Sequence, residues 1–98
     1  MNDLNSIDKI YKSGELENIF AIIIETYSAS TLTSVDENFI IKLRDICTKL
    51  NIVLIFDEVY TGWGKTGYMF NYQRFKNINP DILTLSKSFG GGKSSISA

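Results

Sequence analysis

Residues 54–67 read LIFDEVYTGWGKTG, an apolar run that stops at two acids and then passes three glycines. Taken back to residue 52 the run is IVLIFD, short, β-branched and without alternation, which predicts a strand buried on both faces of a parallel sheet. The segment before it decides how that strand is reached. Ser34 and Glu37 have the S-x-x-E spacing of a capping box, and Phe39, Ile40, Leu43, Ile46, Cys47 and Leu50 recur on one helical face until Asn51 supplies a C-cap. Further upstream, residues 19–25 (IFAIIIE) predict a second buried strand. Leu4, Ile7, Ile10 and Tyr11 predict a short helix stopped by Gly14.

On the other side, a glycine- and aromatic-rich connection leads through Asn79-Pro80 to residues 82–86 (ILTLS), a third strand. Strands joined by a helical crossover pair in parallel with right-handed connections, so the expectation is an α/β fold with a partial parallel sheet. Three strands and two helices give thin cover to a sheet apolar on both faces. The 98 residues therefore read as the middle of a larger domain.

Composition narrows the function classes. Ten basic and 11 acidic residues leave a net charge of −1 with no basic stripe, which argues against nucleic acid and anionic lipid as partners. No apolar run approaches the roughly 20 residues that span a bilayer, and polar residues follow Met1, so a cytoplasmic location is expected. The single cysteine, Cys47, excludes an internal disulfide, and without histidine the commonest metal ligand and proton shuttle is missing. Carboxylate-bound magnesium is the one metal chemistry left open.

Ligands of open parallel sheets bind at the carboxyl ends of the strands. Here those ends carry Glu25, then Asp57 with Glu58, then Lys87. The bland reading is that strand ends reach solvent and charges collect there. Two chemistries could use the edge. FGGGKS at 89–94 resembles the end of a phosphate-binding Walker A loop, but that loop needs a glycine where Lys87 stands, and it normally precedes the acidic strand. The other is an imine between Lys87 and an aldehyde cofactor, with Asp57 holding a pyridine nitrogen protonated so that the ring can absorb carbanion charge.

LIFDEVYTGWGKTGYMF followed by PDILTLSKSFGGG resembles the cofactor-binding core of the class III (ornithine aminotransferase-like) pyridoxal-phosphate aminotransferases of fold type I. The hydrophobic-Asp-Glu-Val run, the T-G-x-G-[RK]-T-G loop, the Pro-Asp pair and the Ser-Lys ahead of a glycine triplet occur in one order at compatible spacings. The resemblance implies pyridoxal 5'-phosphate as cofactor, Lys87 as internal imine and proton shuttle, and Asp57 as partner of the pyridine nitrogen. It implies Val59 on the ring face, Tyr60 near the cofactor's phenolic oxygen, Glu25 near the substrate amine, and close passage of the backbone at glycines 90, 91 and 92. Tyr60 stands where the family has glutamine, and Thr26 where it has proline.

The implied reaction moves an amino group from an amine or amino acid to an oxo acid or aldehyde, in a homodimer. The resemblance also makes residues 1–98 a fragment of the PLP-binding large domain, lacking the N-terminal phosphate cup and the C-terminal small domain. The contrasting expectation is a non-catalytic truncated piece or interaction module.

Other residues have plainer readings. Trp63, Tyr68, Phe70 and Tyr72 could line a substrate entrance, but aromatics in a long connection more often anchor it to its own domain. Cys47 reads as a small buried hydrophobe with no cation nearby. Lys65 and Lys93 are rival imine candidates off the strand ends, and Asp36, Glu37, Lys42, Arg44, Asp45 and Lys49 read as a solvated helix face.

Overall fold

A computed structural model describes residues 4–87 and 97–98. Its elements are helix α1 (Leu4–Lys12), strand β1 (Ala21–Glu25), the short strands β2 (Tyr27–Ser28) and β3 (Thr33–Ser34), helix α2 (Glu37–Leu50), strand β4 (Val53–Asp57) and strand β5 (Ile82–Thr84). Strands β1, β4 and β5 form a parallel sheet in the order β1-β4-β5, and β2 with β3 forms a separate antiparallel pair.

The most regular helix is α2, with Phe39, Ile40, Leu43, Ile46 and Cys47 buried on one face. It closes on Asn51, which takes the left-handed conformation (φ 55°), while the Ile52 amide reaches back to the Cys47 carbonyl at 2.8 Å. Its start differs from the capping box expected at Ser34. The N-cap is Asp36, whose carboxylate accepts from the Phe39 amide at 3.2 Å, because Ser34 is drawn into β3 and its hydroxyl donates to the Val35 carbonyl. Asp36 stays exposed, as its charge suggests, while capping α2.

Helices α1 and α2 pack together over one face of the sheet, where Ile40, Leu54 and Phe56 are fully buried. Each such side chain contributes roughly 1.5–3 kcal/mol by leaving water. The thiol of Cys47 lies in this core, and burial pushes its pKa up; contrary to the expectation of no nearby cation, Arg44, three positions earlier on α2, opposes that shift. The opposite face of the sheet is uncovered. Ile23 is 61% and Ile82 48% exposed, so burial on both faces, expected for the strands at 19–25 and 82–86, is realised on one face only.

Arg44 departs from the solvated face. Its Nη1 donates to the Asn79 carbonyl and to Asp81 Oδ2, both at 3.1 Å. The same carboxylate oxygen accepts from the Leu54 amide at 2.7 Å, so the Pro-Asp pair pins the approach to β5 against the start of β4. That amide bond, with a smaller contribution from Arg44, holds the Asp81 carboxyl below the usual range. Replacing Asp81 with alanine leaves the Leu54 amide unpaired and should cost about 1–3 kcal/mol in urea unfolding. Because the folded pKa is depressed, this stabilisation is present above about pH 3.9 and is lost as pH falls through the folded value. Asp81→Ala should accordingly flatten the acid limb of the stability profile, and an unchanged limb would assign that limb to other carboxylates.

Candidate functional site

The parallel register places Glu25, Asp57 and Thr84 side by side in one row across the carboxyl ends of the three strands. Paired residues in parallel strands point to the same face, and alternation puts this row with Ile23, Ile55 and Ile82 on the face that the helices leave open. Asp57, on the middle strand, is half-buried. Its Oδ1 accepts from the Val59 amide at 3.0 Å and from the Thr84 hydroxyl at 3.1 Å. Among the described residues no donor reaches Oδ2. The carboxylate is therefore fixed through one oxygen and presents the other.

Glu25 faces Asp57 in register, but its Oε2 accepts from the Ala29 amide at 3.2 Å and so braces the turn between β2 and β3. Val59 follows, half-buried. Tyr60 is exposed, with Lys65 Nζ 5.3 Å from its ring centroid, a cation–π contact. Tyr27, Tyr60, Thr61, Lys65 and Thr66 line a concavity of about 380 Å³. Gly62 is required where the connection passes under β5. A Cβ there would lie 3.0 Å from both the Glu58 carbonyl and a Leu85 methyl. Of the aromatics, Trp63 packs edge-on against Phe70 and Phe70 stacks on Tyr72, which also meets the core residue Phe56, so the anchoring role describes these three.

Lys87 stands three residues beyond Thr84, the neighbour of Asp57, and is exposed. Its φ is 50°, a left-handed conformation costly for a residue with a Cβ. The backbone pair between Leu85 and Ala98 brings the chain's last residue alongside (Ala98 N to Leu85 O, 2.8 Å). No ion pair among the described residues engages Lys87. Glycines 90, 91 and 92, the Walker-like segment and Lys93 lie outside the described residues.

The two acids that ended the opening run part company. Alternation sends Glu58 to the side opposite Asp57, where it is fully buried. Its Oε1 accepts from the hydroxyls of Thr61 (3.0 Å) and Thr26 (3.4 Å) and from the Asn71 amide, while Asn71 Nδ2 donates to Thr26 Oγ1 at 3.0 Å. Burial pushes the Glu58 carboxyl above the usual range; the bonds from Thr61, the Asn71 and Tyr72 amides and Thr26 oppose this incompletely. Alternation within LIFDE signals the split of the two acids. Nothing in sequence spacing signals Thr26 and Asn71, which are 45 positions apart.

Among the described residues, no cluster of three or more His, Cys, Asp or Glu side chains is placed to hold a metal ion, and no helix is long and apolar enough to cross a membrane. The edge fits a different group. A carboxylate with one unclaimed oxygen suits a protonated ring nitrogen, and an amine without an ion pair, one strand over, suits an aldehyde.

A parallel sheet with its polar row at the carboxyl edge has the arrangement in which open α/β sheets bind ligands. Comparison with known proteins is more specific. Residues 3–98 match the family model of the class-III aminotransferases, and the chain belongs to that family. It is 43% identical over 96 residues to an acetylornithine aminotransferase of Prochlorococcus marinus, covering 95% of this chain and 23% of that protein. It is 37% identical over 97 residues to an ornithine aminotransferase of Oceanobacillus iheyensis, covering 98% and 23%.

Among solved structures, the acetylornithine aminotransferase of Elizabethkingia anophelis superposes with a TM-score of 0.85 at 32% identity, over 98% of this chain and 24% of that one. An ornithine aminotransferase of Plasmodium yoelii superposes with a TM-score of 0.84 at 31% identity, over 98% and 25%. The chain thus spans about a quarter of the length of the relatives it matches.

Proposed function

We propose that the chain is part of the cofactor-binding large domain of a pyridoxal-phosphate aminotransferase, with the phosphate cup and the small domain supplied by sequence outside residues 1–98. The observation that carries this reading is the Asp57 carboxylate, anchored through Oδ1 at the end of the middle strand and in register with Thr84, three residues ahead of Lys87. When bound, the cofactor supplies an aldehyde carbon that bonds to amines and a pyridinium ring that accepts the electron pair left on the substrate carbon.

The chain's own residues do the rest. Asp57 holds a proton on the ring nitrogen by charge-assisted hydrogen bonding, and the Val59 amide and Thr84 hydroxyl keep the carboxylate aimed. Lys87 Nζ would hold the cofactor through its aldehyde, and its amine would move the proton at the substrate carbon. In this reading Val59 packs on the ring, Tyr60 donates to its phenolic oxygen, and Glu25, whose Oε2 accepts from the Ala29 amide, meets the substrate amine. The names of the relatives support an amino donor of the ornithine type; an oxo-acid or aldehyde acceptor, a homodimer and a cytoplasmic location complete the reading.

The exposed apolar face of the sheet supports a seam with the remainder of such a domain rather than a self-sufficient module. In the protein expressed from its complete reading frame, Asp57→Ala should lower the turnover of amino-group transfer by roughly 10²–10³, the size of effect seen when one preorganised electrostatic partner is removed. Turnover unchanged in Asp57→Ala would contradict the assignment.

A further inference from the structure

Two buried oxygens lack a partner among the described residues: Glu58 Oε2 and Asn71 Oδ1. Both belong to one knot. Glu58, Thr26 and Asn71 are each 0% exposed and Thr61 is 2% exposed. The donors of the Thr26 and Thr61 hydroxyls and of the Asn71 amide all converge on Glu58 Oε1, and the Asn71 side-chain amide is spent on Thr26. An ionised carboxylate would leave both Oε2 and Asn71 Oδ1 as buried acceptors without a donor among the described residues, an arrangement that costs free energy for each oxygen. One added donor at this point changes the count.

We propose that Glu58 is a positioning residue for Asp57: it keeps its proton on Oε2, supplying the donor that the knot lacks, and so clamps the exit of β4 to the end of β1 and to the far end of the glycine loop. The inference rests on the cofactor role of Asp57 given above. Thr26 directly follows Glu25 of β1, Thr61 lies three residues past Glu58, and Asn71 opens the 3-10 turn Asn71–Arg74. Glu58 sits between Asp57 and Val59, and the Val59 amide is one of the two donors that aim the Asp57 carboxylate. A shift of the Glu58 backbone therefore moves that donor directly.

The groups facing Glu58 are the hydroxyls of Thr26 and Thr61 and the amides of Asn71 and Tyr72, none of them ionisable in the neutral range, and the upward displacement of its carboxyl pKa by burial agrees with retained protonation. A buried water or cation bridging the two oxygens would instead accompany an ionised Glu58.

The test is carbon NMR of the carboxyl groups of the protein expressed from its complete reading frame, labelled at the glutamates, as a function of pH, together with amide hydrogen exchange at Val59. The expected result is a Glu58 carboxyl that keeps its proton to higher pH than an ordinary glutamate does. Glu58→Gln, which puts an amide donor where the protonated oxygen stood, should keep the Val59 amide as protected as in the parent chain. Glu58→Ala should speed its exchange at least about tenfold. Titration of Glu58 in the ordinary glutamate range, or a glutamine variant no better protected than the alanine variant, would overturn the proposal. If the alanine variant does not fold, the parent titration and the glutamine variant still decide. Neither measurement uses the cofactor, so a protein expressed from its complete reading frame that passes both yet takes up no pyridoxal phosphate would refute the cofactor reading while leaving the protonated clamp standing.

Discussion

Replacing Lys87 with alanine in the protein expressed from its complete reading frame should remove transamination, to below about 10⁻⁴ of the parent rate. Two functions are lost at once, the covalent hold on the cofactor and the proton transfer at the substrate carbon, and proton transfer alone is worth typically 10²–10⁴-fold. Lys49 and Lys65 are not placed to substitute. Lys49 projects from α2 into solvent and pairs with Asp45, and Lys65 lies over the Tyr60 ring in the loop. Lys49→Ala should leave the rate within a factor of about two, since an exposed i,i+4 pair contributes little even to stability. Substantial turnover in Lys87→Ala would remove the lysine from the mechanism.

The second large effect is structural. Phe56 is fully buried in the middle strand, one residue before Asp57, and its ring lies 5.8 Å from that of Tyr72. Truncation to alanine leaves a cavity at the centre of the core and should cost about 3–5 kcal/mol in urea unfolding. A single small domain has only some 5–15 kcal/mol in total, so the variant should be largely unfolded at moderately raised temperature. Phe56 joins the strand to the 3-10 turn Asn71–Arg74, so the end of the glycine loop should loosen with the core. A loss below about 1 kcal/mol would mean that the core is organised around other residues.

Much of the architecture was legible because its signals are local and periodic. The helical face from Phe39 to Cys47 and the β-branched run before Asp57 each point to one element, and the parallel order follows from their alternation. What escaped was set by contacts between distant residues. The pair β2–β3 has only two residues per strand, too few for a period, and its formation moved the cap of α2 from Ser34 to Asp36. Arg44 looked solvated because its partners, Asn79 and Asp81, lie more than thirty positions away.

The site divides in the same manner. Glu25, Asp57 and the segment leading to Lys87 could be aligned from strand ends alone, and the register does place Glu25, Asp57 and Thr84 in one row. Their chemical environment could not be read that way. Asp57 and Glu58 are adjacent in sequence, yet one meets the open edge and the other the knot with Thr26, Thr61 and Asn71. Thr26, read from the sequence only as a departure from the family's proline, contributes there a donor and an acceptor that proline could not.

The central claim is that this edge binds pyridoxal phosphate through Lys87. Its most direct test is titration of pyridoxal phosphate into the protein expressed from its complete reading frame and into its Lys87→Ala variant, followed by borohydride reduction and peptide mass mapping. The account predicts saturable, stoichiometric labelling at Lys87 that is lost in the variant. Diffuse labelling shared among Lys65, Lys93 and other lysines, and equal in both proteins, would contradict it.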